Sequence, residues 1–463
     1  MKKSQYIVGI VCVAALMSSC NIYKQYQRPD VDTQGLYRDP VSATDTLVSD
    51  TTNMGMIPWE KMFTDPWLQS LIQQGLEKNS DLRTAMLQVD QAEAQLKAAR
   101  LAYTPSVALA PTGGVSSFDK GKGQWTWTAP VSASWEIDLF GRLLNSKRGA
   151  KAALMQSQEY KQAVQTQLIS TIANYYYTLL MLDKQLSITE ETAVSWKKSV
   201  ETMRSLKENT TTTNEAAVVQ SEANSYMIEA TIPDLQQQIR ETENALCMLL
   251  HQAPQQIARG TLEEQDFPEI MRAGVPVQLL SNRPDVKSAE MALAAAYYNT
   301  NVARSAFYPS LSLSGTYGWT NSAGSMVVNP GKMIASAVGS LTQPIFNRGT
   351  NLANLRIAKA QQESALISFQ QSILNAGSEV SNALFLYQAA EDKMVQREKQ
   401  IDALVKSVEY TQELLMYGTS TYLEVLTAQQ SLLNAQLSGI SDEYQRIQAV
   451  INLYHALGGG RTE

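Results

Sequence analysis

Reactive chemistry is what this chain of 463 residues has least of. Its two histidines, His251 and His455, both stand near the ends of helical patterns, where they suit a helix dipole better than a metal or substrate. No Cys-x-x-Cys, His-Glu-x-x-His, phosphate-cradling loop or Gly-x-Ser-x-Gly turn occurs, which removes the enzyme classes that those motifs serve. The acid pairs Glu190–Glu191 and Glu263–Glu264 read as solvated faces, and Gly458–Gly460 as a helix cap and tail. The expectation is a protein without catalysis and without a cofactor. Three cysteines allow no disulfide framework: Cys12 lies in the leader, Cys20 follows it, and Cys247 sits in an apolar run as a core thiol. A net charge of −6 with no basic patch excludes nucleic acid as a partner.

Long apolar runs are missing too. The longest, Tyr6–Met17 behind Lys2 and Lys3, is too short to span a bilayer and reads as an export signal over 1–19. It ends at Leu16-Met-Ser-Ser-Cys20, which resembles a bacterial lipobox, although Leu is usual where Met17 stands. Cys20 is therefore the expected lipidation site, and Asn21 after it favours the outer membrane. The other reading is an ordinary signal peptide with a coincidental cysteine. Residues 20–57 are rich in Thr, Asp, Ser and Pro without periodicity and read as a tether.

Proline and glycine are absent where helices must be long. No Pro occurs from Val131 to Ile232, no Gly from Ala150 to Arg259, and no Pro after Pro344. Apolar residues in these stretches recur in alternating steps of three and four: Val164, Leu168, Ile172, Tyr175, Leu179, Leu182 and Leu186, and earlier Leu82, Ala85, Val89, Ala92, Leu96, Ala99 and Tyr103. Helices are expected over about 142–207 and 351–417, each on the order of 100 Å long at 1.5 Å per residue. Each is followed by a turn and a second helix, about 215–251 and 422–457. Ala- and Gln-rich faces favour a broad helical barrel or bundle over a globular core.

The chain is also written twice. Arg100–Leu109 returns as Arg304–Leu313, and Trp135–Arg142 returns weakly as Leu341–Arg348. The first copy spans 58–252 and the second 284–458, with a linker at 253–283 and a tail at 459–463. Each copy carries two short strands, about 104–116 and 124–138, then 309–320 and 332–345. Trp125, Trp127, Ala129, Val131, Ala133, Trp135 and Ile137 alternate with polar residues, as do Leu311, Leu313, Gly315, Tyr317 and Trp319. Apolar-out, polar-in patterning with aromatic ends suits a lipid-spanning β-barrel. The parity of the fourth strand is ambiguous, because Ala, Ser and Gly blur it. Four strands cannot close a barrel, and an open edge in lipid would leave backbone groups unpaired. Two chains would give eight strands with a filled lumen; three would give twelve and a pore.

In order, Tyr26–Pro29, Pro58-Trp59, Phe63–Pro66, Asn79–Asp81, Trp135–Arg142, the linker Gly274–Val286, Gln343–Gly349, Gly418–Ser420 with Ala428-Gln429, and Ala456–Gly460 resemble the TolC-like outer-membrane efflux proteins. The resemblance is to the lipoprotein branch similar to OprM and NodT, and it covers nearly all of the mature chain. It implies a mostly helical, internally duplicated fold in which a homotrimer shares one 12-stranded outer-membrane β-barrel continued by a periplasmic α-barrel. It further implies the exit duct of a tripartite pump of the RND type, joined through a periplasmic adaptor to an inner-membrane transporter. The family's periplasmic gate lies where long helices turn, matching Tyr417–Thr427 here. Of two positions often Asp, the first is Glu424 and the second is Thr427, so a single carboxylate ring packed by Tyr417, Tyr422 and Leu423 is expected. Glu424 also suits a plain helix N-terminus. The competing readings are a protein-secretion duct and a structural coiled-coil lipoprotein.

Overall fold

The computed structural model describes residues 23–31, 57–117, 121–209, 213–265, 267, 283–323 and 326–460. Cys20, the export signal, most of the tether and most of the linker lie outside these residues. In chain order the elements are α1 (Trp59–Met62), α2 (Pro66–Lys78), α3 (Ser80–Leu101), β1 (Ser106–Leu109), β2 (Thr112–Ser116), β3 (Gln124–Ile137), α4 (Arg142–Asn209) and α5 (Glu215–Leu249). The second half runs through α6 (Pro284–Ser305), β4 (Ser310–Ala323), β5 (Met326–Thr342), α7 (Thr350–Met416) and α8 (Tyr422–Ala456). The two long helices, of 68 and 67 residues, end within two residues of where the absence of Pro and Gly placed them.

The chain divides into two compact units. One comprises the described residues within 23–31, 87–159 and 287–371 and holds every described strand. Its sheet is antiparallel in the order β1-β3-β4-β5, with β2 also on β3. The first strand expected at 104–116 is two pieces: Thr104 belongs to the turn that ends α3, and the ladder is interrupted at Ala110-Pro111 with its register unchanged. Ala110 N donates to Pro130 O at 3.2 Å, but Pro130 has no N–H to return the bond. β4 and β5 run further into their hairpin than expected, to Ala323 and from Met326, through a bulge at Thr320/Ser322. The buried Asn321 side chain bridges that irregularity, accepting from Trp127 N at 2.6 Å and donating to Trp125 O at 3.0 Å. Pro130 sits inside β3 opposite Gly318, where a Cβ would stand 2.2 Å from the Ala129 carbonyl, so only glycine allows that approach.

In the same unit the part of the tether that is described lies along α6. Tyr297 donates to Lys24 O at 3.0 Å, Tyr26 packs edge-on against the Tyr297 ring, and Arg28 pairs with Glu290 at 3.5 Å while capping the Phe369 ring. Tyr23 lies beside Gly141, at the junction of β3 and α4.

The other unit comprises the described residues within 57–86, 160–286 and 372–460 and is helical. Its core holds Phe63, Leu68, Ile72, Ile172, Tyr176, Tyr177 and Tyr454, all essentially sealed from solvent. Arg283, the arginine of the linker signature, is 2% exposed. Its guanidinium binds Asp285 in a fork (3.0 and 2.7 Å), Glu379 at 2.7 Å and the Ala456 carbonyl at 2.9 Å. One side chain thus ties the start of α6 to α7 and to the end of α8. A planar, always-charged fork is the group suited to that task.

Candidate functional site

The turn between α7 and α8 is built from local chemistry. Gly418 has φ +71, the left-handed conformation that glycine adopts without strain. Its N–H donates to Leu415 O at 3.1 Å and that of Thr419 to Leu414 O at 3.0 Å, closing α7 with a Schellman pair. Thr421 then caps α8 in a capping box with Glu424. The Ser420 hydroxyl and the Thr421 N–H, the latter at 3.2 Å, both donate to one oxygen of Glu424. These bonds hold the exposed carboxyl below the usual Glu range. Thr427 turns its hydroxyl back to Leu423 O at 2.7 Å, the habit of a helical threonine.

Of the residues expected to form a gate, Tyr417 and Leu423 are open to solvent at 82% and 66%, and Glu424 and Thr427 share that exposure. Tyr422 does not. It is half-buried against the cluster Ala193, Trp196, Ile228, Leu426 and Leu433, and its hydroxyl donates to Ser221 on α5 at 2.7 Å. Burial raises its pKa above the usual phenol. Ser221 has no signal in the sequence, whereas Ser420 and the buried Gln429 belong to the family signature, and Thr421-x-x-Glu424 is a readable capping signature. The turn between α4 and α5 includes 210–212, outside the described residues. On either side of it, Lys197–Glu229 (3.1 Å), Arg204–Glu222 and Lys207–Glu215 ladder the two helices together.

The strands supply a wall with two chemistries. Direct partners in an antiparallel sheet share a face. Val131 pairs with Leu109 and Tyr317, Trp135 with Leu313, Ala129 with Trp319, and Trp125 with Val115. On the opposite face Thr128 pairs with Thr112 and Thr320, Ser132 with Thr316, Ser134 with Ser314, and Glu136 with Ser312. The register also settles β5: Met333, Ala335, Ala337, Gly339 and Leu341 join the apolar face, and Ile334 and Val338 fall on the hydroxyl one. Trp125 and Trp319, 75% and 52% exposed, leave the apolar face unburied within one chain.

The sequence pattern of the family described as outer membrane efflux protein matches residues 71–250 and 275–459. The chain belongs to that family. Among relatives, it is 30% identical over 455 residues to "Cation efflux system protein CusC" of Escherichia coli (strain K12), covering 97% of this chain and 98% of that one. It is 28% identical over 464 residues to "Probable outer membrane lipoprotein SilC" of Salmonella typhimurium, covering 99% of each. "Toluene efflux pump outer membrane protein TtgC" of Pseudomonas putida is 28% identical over 484 residues, covering 99% of this chain and 96% of its own. Among solved structures, CusC aligns with TM-score 0.83 at 29% identity over 95% of this chain and 100% of that one. The open state of the Neisseria gonorrhoeae MtrE outer membrane channel aligns with TM-score 0.84 at 27% identity over 95% and 98%. The fold is that of the TolC-like channels, with long helices and a few membrane strands. The efflux protein is an outer-membrane channel of a tripartite pump, and its place is the cell outer membrane.

Proposed function

We propose that the protein works as a homotrimeric exit duct. Three copies close one barrel through which small toxic molecules or ions leave the cell passively. The observation that carries this reading is the sheet itself. It has one apolar and one hydroxyl face, and two outer edges, at β1/β2 and at β5, that no described strand of the same chain covers. Unpaired edge groups in hydrocarbon cost several kcal/mol each, so the edges require further copies. β1 and β2 occupy one position beside β3, giving four positions per chain. Three times four makes twelve, a size that leaves an open lumen, whereas eight is largely filled by side chains.

A periplasmic adaptor and an inner-membrane transporter deliver the cargo. Relatives whose names specify cations or toluene have similar identity to this chain, which fits a wide duct whose cargo is chosen by the transporter. The exposed part of the turn, Tyr417, Leu423, Glu424 and Thr427, forms the periplasmic gate, and Tyr422 positions it from within. Cys20 carries the lipid. Tyr23, three residues on, docks at the strand–helix junction, which supports an anchor close to the membrane strands.

Three experiments test the proposal. Detergent-extracted protein should run as a heat-modifiable trimer by native mass and form channels in planar bilayers; a monomer without conductance defeats it. Cells lacking the gene should gain sensitivity to toxic cations or to organic toxicants such as toluene and recover on complementation. Cys20→Ala should lose acyl labelling while keeping part of the resistance.

A further inference from the structure

The strand register fixes which charges face the lumen. Among the described residues the hydroxyl face of the sheet carries two charged side chains, Glu136 and Lys332. Glu136, at the helix end of β3, is neutralised by Arg142, whose Nε donates to it at 2.7 Å. Lys332 is different. It stands on β5 opposite Thr320, which pairs in turn with Thr128, and the two threonine hydroxyls bond across the strands at 2.9 Å. It is exposed, and no described carboxylate pairs with it. Its level is about 30 Å along the strands from Ile137, close to the β4–β5 hairpin.

We propose that Lys332 sets the charge preference of the outer section of the duct. This rests on the closed-barrel reading above. Three symmetry-related ammonium groups at one level make a positive ring on a wall whose other groups there are hydroxyls and apolar side chains. Hydroxyls serve either sign of ion by donating or accepting, so they impart no preference of their own. A ring of like charge does. Its reach decides whether this matters: a twelve-stranded barrel has a radius of about 12 Å from the strand spacing and tilt. The Debye length is about 10 Å at 0.1 M salt and about 3 Å at 1 M. The ring therefore biases the whole cross-section at low salt and only the wall at high salt. Anions are favoured over cations at the outer mouth.

The test is the reversal potential of the purified full-length trimer across a KCl gradient in planar bilayers. Relative to the unmodified protein, Lys332→Gln should shift the potential toward cation preference and Lys332→Glu should shift it further. Both shifts should be present near 0.1 M salt and vanish near 1 M. Unchanged potentials in both variants at low salt would overturn the proposal. Lys332→Cys separates this failure from failure of the barrel reading. Cys247 is sealed, so a sulfonate-bearing methanethiosulfonate reports on the new thiol. Modification with a cation-ward shift supports the proposal. Modification without a shift keeps the barrel and rejects the selectivity role. A conducting trimer whose thiol stays unmodified rejects both.

Discussion

The Tyr176 hydroxyl donates to Asp65 Oδ2 at 2.5 Å, joining the middle of α4 to the residue that caps α2. The same hydroxyl accepts from Gly260 N at 3.0 Å, and Asp65 also accepts from Trp67 N and Gln265 Nε2. Burial and the Asp65 bond push the phenol well above its usual range, so it stays protonated as a donor. Tyr176→Phe keeps the ring in the core but leaves the Gly260 N–H without its acceptor. The expected cost is about 1–3 kcal/mol of stability. A lower urea midpoint with an unchanged slope would register it; an unaltered midpoint would mean that water replaces the hydroxyl.

The two sheet faces should answer oppositely to one substitution. Val131→Arg places a charge on the apolar face, at roughly 2–4 kcal/mol per copy near the bilayer midplane. Ser132→Arg, one residue on, points to the hydroxyl face. Outer-membrane assembly should fail for the first and persist for the second. Equal damage from both would rule out a lipid-facing wall.

His455 makes stability depend on pH. Burial, and then the Arg283 charge, lower its folded pKa below the ordinary 6.5, with Glu379 and Asp285 opposing. The native state therefore binds the proton less readily than the unfolded chain. Stability is fully present above the unfolded pKa and is lost as pH falls through it toward the folded value. The thermal midpoint should drop between about pH 7 and pH 5, and His455→Gln should flatten that drop. An identical pH profile in the variant would assign the effect to other groups.

Glu424 separates charge from capping. Its lowered pKa means that the capping carboxylate is retained above the unfolded Glu value and lost as pH falls through the folded one. Glu424→Ala removes both charge and cap, and should raise conductance and reduce cation preference in bilayers. Glu424→Gln keeps an acceptor for Thr421 N–H, so it should lose cation preference while leaving conductance closer to that of the parent. If neither variant differs from the parent, Glu424 is a helix-capping residue alone and closure belongs to Tyr417 and Leu423.

Much of this molecule could be read along the chain. The heptad stripe from Leu82 to Tyr103 is the one that turns inward, with Leu82, Ala85, Ala92 and Leu96 buried and the others partly so. The alternation on β3 and β4 matches the paired faces residue for residue, because side-chain period is a local consequence of strand geometry. The interruption at Ala110-Pro111 was foreshadowed by a proline that cannot donate. The extension of β4 and β5 was not, because the Asn321 side chain takes over backbone bonds, and Gly-rich composition alone reads as loop.

Periodicity and ordered motifs were enough to establish the duplication, the long helices, the two-faced strands and the family. Folding in three dimensions was needed to turn Tyr422 inward to Ser221, away from the exposed side of the turn. It was needed as well for Arg283 to gather Asp285, Glu379 and Ala456, and for Lys332 to share a face with Thr128 and Thr320. Most of these are choices among partners about a hundred to two hundred positions apart. Local propensity acts over a few residues, whereas pairing at that distance is settled when the burial, hydrogen bonding and register of many residues are satisfied together.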